Sequence, residues 1–325
     1  MKKTLVTGGC GFIGSNLVEH LLKKGYSIKV FDKYNFNNDW GWLEKSKYKN
    51  DLEVVLGDIR DFDSILNASK DCKNIIHLAA LIGIPYSYIS PLAYIKTNIE
   101  GTYNVLECSK FNNFDNIIIT STSEVYGSAE KVPISEDHRL LGQSPYSASK
   151  IGADQLAMSY YKSFNFPIKL IRPFNTFGPR QSARAVIPTI LSQCYENMPI
   201  KIGNINATRD FTYVSDLCNA YEKFLNCKKK NAFGNIFNIG NNNEISIIEL
   251  INLIQKICKT NKKIIHDKSR ERKKSSEVSR LRCDPSAFQK LTSWKPKVSL
   301  TEGLYKFNDW YVNNKKYYKP NQYNV

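Results

Sequence analysis

The sequence predicts an α/β protein, a doubly wound parallel sheet followed by a smaller C-terminal substrate-binding lobe. Three observations carry that expectation. Apolar runs of strand length alternate with segments of helical periodicity from the first residues onward. A glycine-rich turn, TGGCGFIG at 7–14, joins the first strand to the first helix. Asp32 ends the second strand, at about the offset where such sheets place a ribose-binding acid.

Each element follows in order. KTLVT is a short apolar run, and between residues 12 and 24 the apolar positions Ile13, Leu17, Val18, Leu21 and Leu22 recur at helical spacing. SIKVFD, EVVLGD, NIIHLA, NIIIT and IKLIRP read as further strands with helices between them. The alternation holds to Arg172, which puts a Rossmann domain at 1–172, with parts of the later chain returning to it. RPFNTFGPRQ is rich in Gly, Pro and Asn and reads as a loop. Helices are expected near 186–196, 215–226 and 246–260, so 173–325 is mainly the substrate lobe. Residues 228–230 and 261–275 are polar and basic and read as surface loops, and the closing KKYYKPNQYNV reads as a frayed end.

Lys and Arg number 46 against 30 Asp and Glu, a formal net charge of +16. Such an excess raises nucleic acid, an acidic membrane or a small polyanion as partners. The basic residues are dispersed, with no zinc finger, RNP motif or basic amphipathic helix. Most of the excess therefore reads as a Lys- and Asn-rich background, and nucleic acid is not expected. The eight cysteines form no CxxC pair, which argues against a zinc site and suits a reducing cytoplasm. Lys2 and Lys3 imitate the start of a signal peptide, but Gly8, Gly9 and Gly11 break the apolar run behind them. The longest apolar stretch, 75–85, is too short to span a bilayer and contains His77.

The glycines of the first turn fit two registers, Gly9-x-Gly11-x-x-Gly14 and Gly8-x-x-Gly11-x-x-Gly14. Either lets the backbone approach a pyrophosphate and leaves a helix N-terminus facing its charge. An acid at Asp32 favours NAD over NADP. Asp58, in LGDIRD, reads equally well as an adenine-side contact or as a cap on the following helix.

Tyr146 and Lys150 stand four residues apart in SPYSASK, on one face of a helix start. A free tyrosine has a pKa near ~10 and is a poor base at neutral pH. A nearby ammonium and a positive nicotinamide would favour its phenolate, so Tyr146 can take a proton from a sugar hydroxyl while hydride leaves the same carbon. STSEVYG follows the strand NIIIT, at the edge where a doubly wound sheet binds ligands. Thr122 can hydrogen-bond the hydroxyl being oxidised. Glu124 goes beyond plain oxidation. A 4-ketone acidifies the neighbouring C5–H, and a carboxylate can remove that proton.

Together TGGCGFIG, HLAA, STSEVYG, the Tyr146–Lys150 pair and RPFNTFGPR resemble extended short-chain dehydrogenases acting on nucleotide sugars, over nearly the whole chain. More narrowly, WGWLE, AALIGIPYSY, SPYSASKIGADQLA and RPFNTFGPRQSARAVIPTI resemble the LegB-type NAD-dependent 4,6-dehydratases of legionaminic acid biosynthesis. The resemblance implies a redox-neutral cycle giving a 4-keto-6-deoxy sugar. Many such dehydratases carry Thr-Asp-Glu where this chain has Thr122-Ser123-Glu124; the serine resembles GDP-mannose 4,6-dehydratases and leaves Glu124 both proton transfers. Gly8, Gly11, Phe12, Ile13, Gly14, Asp32, Asp58, Ile59, Leu78, Ala79, Ala80 and Pro173 are then the cofactor contacts, with Tyr146 and Lys150. On the substrate side the resemblance implies Asn175, Arg180, Ala185, Val186 and Ile187 near the nucleotide, and Arg209 and Arg272 on the diphosphate. A proline usually follows the second arginine in relatives, and Lys273 stands there instead.

The leading expectation is a 4,6-dehydratase on an N-acetylglucosamine nucleotide, with GDP favoured over UDP because the legionaminic route often uses it. UDP-glucuronate decarboxylation, 4-epimerisation and a non-catalytic NAD-binding role are the alternatives. Segments 98–112 and 146–165 carry more apolar positions than one sheet face needs. Relatives pair such helices into a four-helix bundle, which implies a homodimer.

Overall fold

Apolar strands buried on both faces need helices on both sides, and the computed structural model builds that arrangement. It describes residues 2–320, apart from the side chain of Lys274. The strands are β1 (Thr4–Thr7), β2 (Ile28–Lys33), β3 (Glu53–Gly57), β4 (Asn74–His77), β5 (Asn116–Thr120), β6 (Ile168–Pro173) and β7 (Ile236–Ile239). They form one sheet in the order β7-β6-β5-β4-β1-β2-β3, all pairs parallel. The winding reverses between β1 and β4, so the carboxyl ends of those strands flank the crevice where open α/β sheets bind ligands.

Helix α1 (Phe12–Lys23) packs one face of the sheet through Leu17, Val18 and Leu21. On the other face α2 (Phe62–Ser69) and α3 (Pro145–Phe164) bury Ile65, Ala157 and Tyr160. Pro145 takes the first helical position of α3, where no backbone donor is needed. Ser144 caps it, bonding Ser147 N at 3.1 Å, while Ser147 Oγ accepts from Ser144 N at 2.9 Å. The helix stops at Asn165, which adopts the left-handed conformation (φ 55°). That fixed start sets the position of Tyr146, two residues past the cap.

The six expected strands of the first half all form. The seventh, β7, comes from the second half, as does α5 (Val214–Asn226), which covers α1 with Leu217, Tyr221 and Phe224. The sheet domain therefore extends well beyond Arg172. The lobe proper has its own core, in which Ile187 and Ile190 of α4 (Val186–Tyr195), Leu250 and Ile254 of α6 (Ile247–Ile257) and Phe307 and Tyr311 of α7 (Leu300–Asn314) meet.

Three local expectations need correction. Asp58 does not cap α2; Asp61 does, accepting from Asp63 N and Ser64 N, while Asp58 is paired to Arg60. The segment 261–275 is not only surface loop, because Ile264–His266 forms a parallel pair with Ile200–Ile202 and Arg272 turns inward. In the supposed frayed end, Tyr318 is buried and its hydroxyl donates to Gln181 O at 2.8 Å. Residues 321–325 of that tail lie outside the described residues.

Candidate active site

The carboxyl ends of the sheet strands supply most of the site. After β1 the chain enters the glycine turn. Gly8 has φ +70°, and a Cβ there would lie 2.8 Å from Ala79 N. A Cβ on Gly14 would lie 2.1 Å from Gly8 O, so a side chain at either position would break the turn. At Gly11 an added Cβ meets nothing nearer than 3.5 Å, leaving the helix start open. The N-terminus of α1 has no side-chain cap; Phe12, Ile13 and Gly14 form its first turn, where backbone donors suit a pyrophosphate. Asp32, at the end of β2, accepts from Cys10 N at 2.7 Å and so shapes the turn. These residues fit a dinucleotide: a cradle closed to side chains, a helix start aimed at it, and a carboxylate at its rim.

After β4, Thr7 Oγ1 bonds Leu78 N and Ala79 N, each at 3.2 Å, which pins Leu78, Ala79 and Ala80 against β1. Asn98 extends this brace. It bonds Leu81 N and O at 2.9 and 3.0 Å and Ser149 Oγ at 2.9 Å, tying the loop to the helix that carries Tyr146. Asn98 sits in a π-helical turn, Ile95–Glu100, a device frequent at functional sites. Ile59 is buried under the same region, its carbonyl accepting from Asn104 Nδ2 at 3.0 Å. Asp58 is held below the usual carboxylate range by Arg60.

After β5 come Thr122, Ser123 and Glu124. Thr122 Oγ1 accepts from Glu124 N at 3.2 Å, and its hydroxyl acts on the Tyr146 phenol in the direction that favours ionisation. Ser123 is buried. Tyr146 lies edge-on to Tyr94, ring centroids 6.2 Å apart. Burial pushes its phenol well above the ordinary tyrosine range, and Glu124 adds to that. Lys150 Nζ donates to Thr120 O at 2.5 Å, and burial pulls the ammonium down to about 8. Desolvation is the largest influence on the phenol, so the charge of a bound nicotinamide has to join that of Lys150 in favouring the phenolate.

After β6, Pro173 leads to Asn175, whose Oδ1 is buried without a hydrogen-bond partner among the described residues. Ala185 and Val186 stand half-buried at the start of α4, while Ile187 is fully buried in the lobe core. Arg180 is turned to α1, pairing with Glu19 at 2.7 Å, so its guanidinium serves the seam between helix and lobe. Arg209 and Arg272 come together with two carboxylates. Arg209 Nη2 lies 3.3 Å from Glu277 Oε1, and Arg272 Nη1 lies 3.5 Å from Glu124 Oε2. Arg272, from the most basic stretch of the chain, is thus a member of the site. Its strap is tied down by Tyr88, whose hydroxyl bonds Ser276 Oγ at 2.5 Å.

The profile of the GDP-mannose 4,6 dehydratase family matches residues 5–307. The chain belongs to that family. It is 30% identical to the human dTDP-D-glucose 4,6-dehydratase over 96% of this chain and 91% of that one. The structure of DesIV, a dTDP-glucose 4,6-dehydratase from Streptomyces venezuelae with NAD and TYD bound, superposes with a TM-score of 0.88 at 26% identity, covering 98% and 99% of the two chains. UDP-glucuronic acid 4-epimerase from Bacillus cereus, in complex with UDP-glucuronic acid and NAD, gives 0.87 at 31% identity, covering 96% and 99%. Dehydratases and epimerases of nucleotide sugars therefore share this frame, and the residues around the sugar must separate them. Among the described residues no helix is long and apolar enough to cross a membrane.

Sequence reasoning missed Asn98, Asp154, Arg172 and Tyr88. The first three are buried polar residues in helix or strand patterns, and their spacing to known motifs was the available signal. Tyr88 had none.

Proposed function

We propose that the protein is an NAD-dependent 4,6-dehydratase converting an NDP-N-acetylglucosamine to its 4-keto-6-deoxy sugar, GDP-GlcNAc in preference to UDP-GlcNAc, at an early step of legionaminic acid biosynthesis. The observation that carries this reading is a carboxylate, Glu124, set beside the Tyr146 phenol and within reach of an arginine of the lobe. A plain oxidoreductase has no use for it. The GDP and legionaminic parts rest on the motif resemblance.

Gly8, Gly11, Gly14 and Asp32 would hold NAD, which supplies a hydride acceptor at C4 and a donor at C6. Tyr146 takes the C4 hydroxyl proton, with Thr122 orienting that hydroxyl. Glu124 removes the C5 proton and hands it to the departing C6 hydroxyl, which leaves as water; as hydride returns to C6, C5 takes up a proton from solvent through Glu124, and Tyr146 releases the one it took. Arg209 and Arg272 hold the diphosphate, whose charge also draws Arg272 off Glu124. Ala185, Val186 and Asn175 line the nucleotide side. The exposed apolar side chains Tyr103, Phe111 and Phe164, on the segments expected to pair, support a homodimer.

A second reading, UDP-glucuronate decarboxylase, is favoured by the same Arg272, a cation beside Glu124 that could instead meet a substrate carboxylate. One experiment separates the readings. The protein is incubated with GDP-GlcNAc, UDP-GlcNAc and UDP-glucuronate, and products are read by mass spectrometry. Loss of one water from GDP-GlcNAc is expected. Loss of carbon dioxide from UDP-glucuronate, or unchanged mass with a new epimer, would replace the dehydratase reading.

A further inference from the structure

Helix α3 carries three ionisable side chains on one stripe: Tyr146, Lys150 and Asp154, at i, i+4 and i+8. The first two belong to the proposed reaction. The third is fully buried and has no part in it so far.

Asp154 Oδ2 accepts from Ser121 Oγ at 2.7 Å and from Arg172 Nε and Nη2 at 3.1 and 3.0 Å. Its Oδ1 accepts no hydrogen bond among the described residues. Arg172 is itself buried and fixed, donating from Nη1 to Tyr126 Oη at 3.0 Å, while Tyr126 donates to Asn238 Oδ1 at 2.7 Å. The network thus anchors Asp154 to β6 and β7. Burial pushes its carboxyl up, but Arg172, Lys150 and Ser121 oppose this. A carboxyl accepting from a guanidinium and a hydroxyl at one oxygen is bonded as an anion.

Lys150 needs such an anion. Its ammonium is fully buried against the Thr120 carbonyl. His77 of β4 faces it and is neutral, held down to about 3 by burial and by Lys150. Tyr146 on its own helix is also neutral, its phenol pushed up by burial and by Glu124. Tyr221 of α5 bonds Thr120 Oγ1 at 2.8 Å and carries no charge, its hydroxyl being pushed up by burial. Arg172 of β6 lies beyond Asp154. Among these groups Asp154 is the negative charge that acts on Lys150.

We propose that Asp154 is a positioning residue of the reaction centre: one helical turn from Lys150 and locked by Arg172 and Ser121, it is the counter-charge that keeps the buried Lys150 ammonium protonated. The protonated lysine is the form that can favour a Tyr146 phenolate and donate hydrogen bonds. The proposal rests on the reading of Tyr146 and Lys150 as the proton-handling pair, but its first test does not.

That test titrates Lys150 directly in the ligand-free protein. With lysines labelled at 13Cε, the Lys150 resonance is the one lost in Lys150→Arg. In Asp154→Asn its midpoint should fall by at least about one pH unit, since a lost neighbouring charge no longer favours the cation. Asp154→Asn leaves Arg172 buried and unpaired, so the double variant Asp154→Asn/Arg172→Gln is measured as well; it removes both charges and should show the same direction. An unmoved midpoint in either folded variant overturns the proposal. The second test follows nicotinamide absorbance on mixing with GDP-GlcNAc across pH. The alkaline loss of reaction should move down by a similar amount, with activity regained at lower pH. A uniform loss with the profile unshifted would make Asp154 scaffold only. Wild-type protein that reduces no nicotinamide with any nucleotide sugar would refute the functional reading, while the lysine titration would still decide on Asp154.

Discussion

The sheet half and the C-terminal lobe place their chemistry by different means. In the sheet half, Gly8, Leu78, Thr122 and Pro173 each lie at or just past the end of a buried parallel strand, so ladder register and apolar burial set their positions. In the lobe, Arg209 and Arg272 are held by Glu277 and Glu124, on loops and a two-residue strand. The first kind of placement resists salt and is lost only with the core. The second is charge on charge, ready to be exchanged for a substrate's diphosphate. Damage to the sheet half should therefore appear in chemistry and global stability, and damage to the lobe in substrate affinity and salt dependence.

The sharpest break between the two comes at the reacting atoms. Tyr146→Phe should abolish nicotinamide reduction altogether. Glu124→Gln leaves Tyr146, Lys150 and the glycine turn intact, so reduction should survive while dehydration slows by roughly two to four orders of magnitude. Bound reduced cofactor should then accumulate, visible as nicotinamide absorbance. Dehydration at the wild-type rate in Glu124→Gln would remove Glu124 as the C5 base.

Next in size is a core effect. Trp294 is fully buried against Phe288, ring centroids 5.8 Å apart, and its Nε1 donates to Asp216 O at 3.0 Å. It comes from the second half of the chain yet belongs to the core beneath β1 and α1. Trp294→Ala should cost about 3–5 kcal/mol in denaturant unfolding. A cost under ~1 kcal/mol would mean that the returning segments are an appendage to the sheet domain.

The same contrast explains what could be read from the chain. The six strands of the first half were legible because parallel strands buried on both faces are continuous apolar runs. The cofactor turn and Tyr146–Lys150 were legible because their spacing is local. Strand β7 was not placed, since FNI is too short to distinguish from a loop and its partner β6 lies more than sixty residues earlier. Asp154 and Arg172 looked like ordinary polar positions; only the fold brings them together, on adjacent elements. Arg272 was masked by the basic residues around it, and its meeting with Glu124 spans 148 residues. Arg180 went the other way, a motif arginine that the fold spends on Glu19.

A smaller effect tests burial in the sheet half through pH. His77 lies under the crevice, its ring bonded to Thr7 Oγ1 at 2.8 Å and Thr102 Oγ1 at 3.2 Å. Burial, and after it Lys150, holds the imidazole down to about 3. An unfolded histidine titrates near ~6.5. Between those values the unfolded chain binds a proton that the folded one refuses, so stability is complete above the unfolded pKa and falls as pH drops. By pH 5 the loss from this one group is about 2 kcal/mol. His77→Asn is less stable at every pH, but the gap between its curve and the wild type's should close by that amount from neutrality to pH 5. Parallel curves would mean that His77 ionises in the folded protein.

The smallest expected effect lies in the lobe and tests whether charge there is framework or ornament. Glu244 accepts from Arg280 Nε at 2.9 Å and Nη2 at 2.6 Å, and from Thr208 Oγ1 at 2.6 Å, tying the strand that holds Arg209 to the segment after Glu277. The pair borders the arginine cluster without belonging to it. Arg280 holds the Glu244 carboxyl below the usual range, so any stability it gives is present at neutral pH and lost as pH falls below the unfolded glutamate value. Arg280 is half exposed, and exposed pairs of this kind contribute about 0.2–1 kcal/mol. Glu244→Gln keeps the Thr208 bond and removes the charge. It should cost no more than about 1 kcal/mol in low salt and almost nothing in molar salt, where the Debye length shrinks to about 3 Å. If charge places Arg209, the KM for the nucleotide sugar should rise a few-fold in the variant and in wild-type protein at high salt, with kcat unchanged. A KM indifferent to both would mean that Arg209 is positioned by its own burial, as the groups of the sheet half are, and the contrast between the two regions would disappear at that residue.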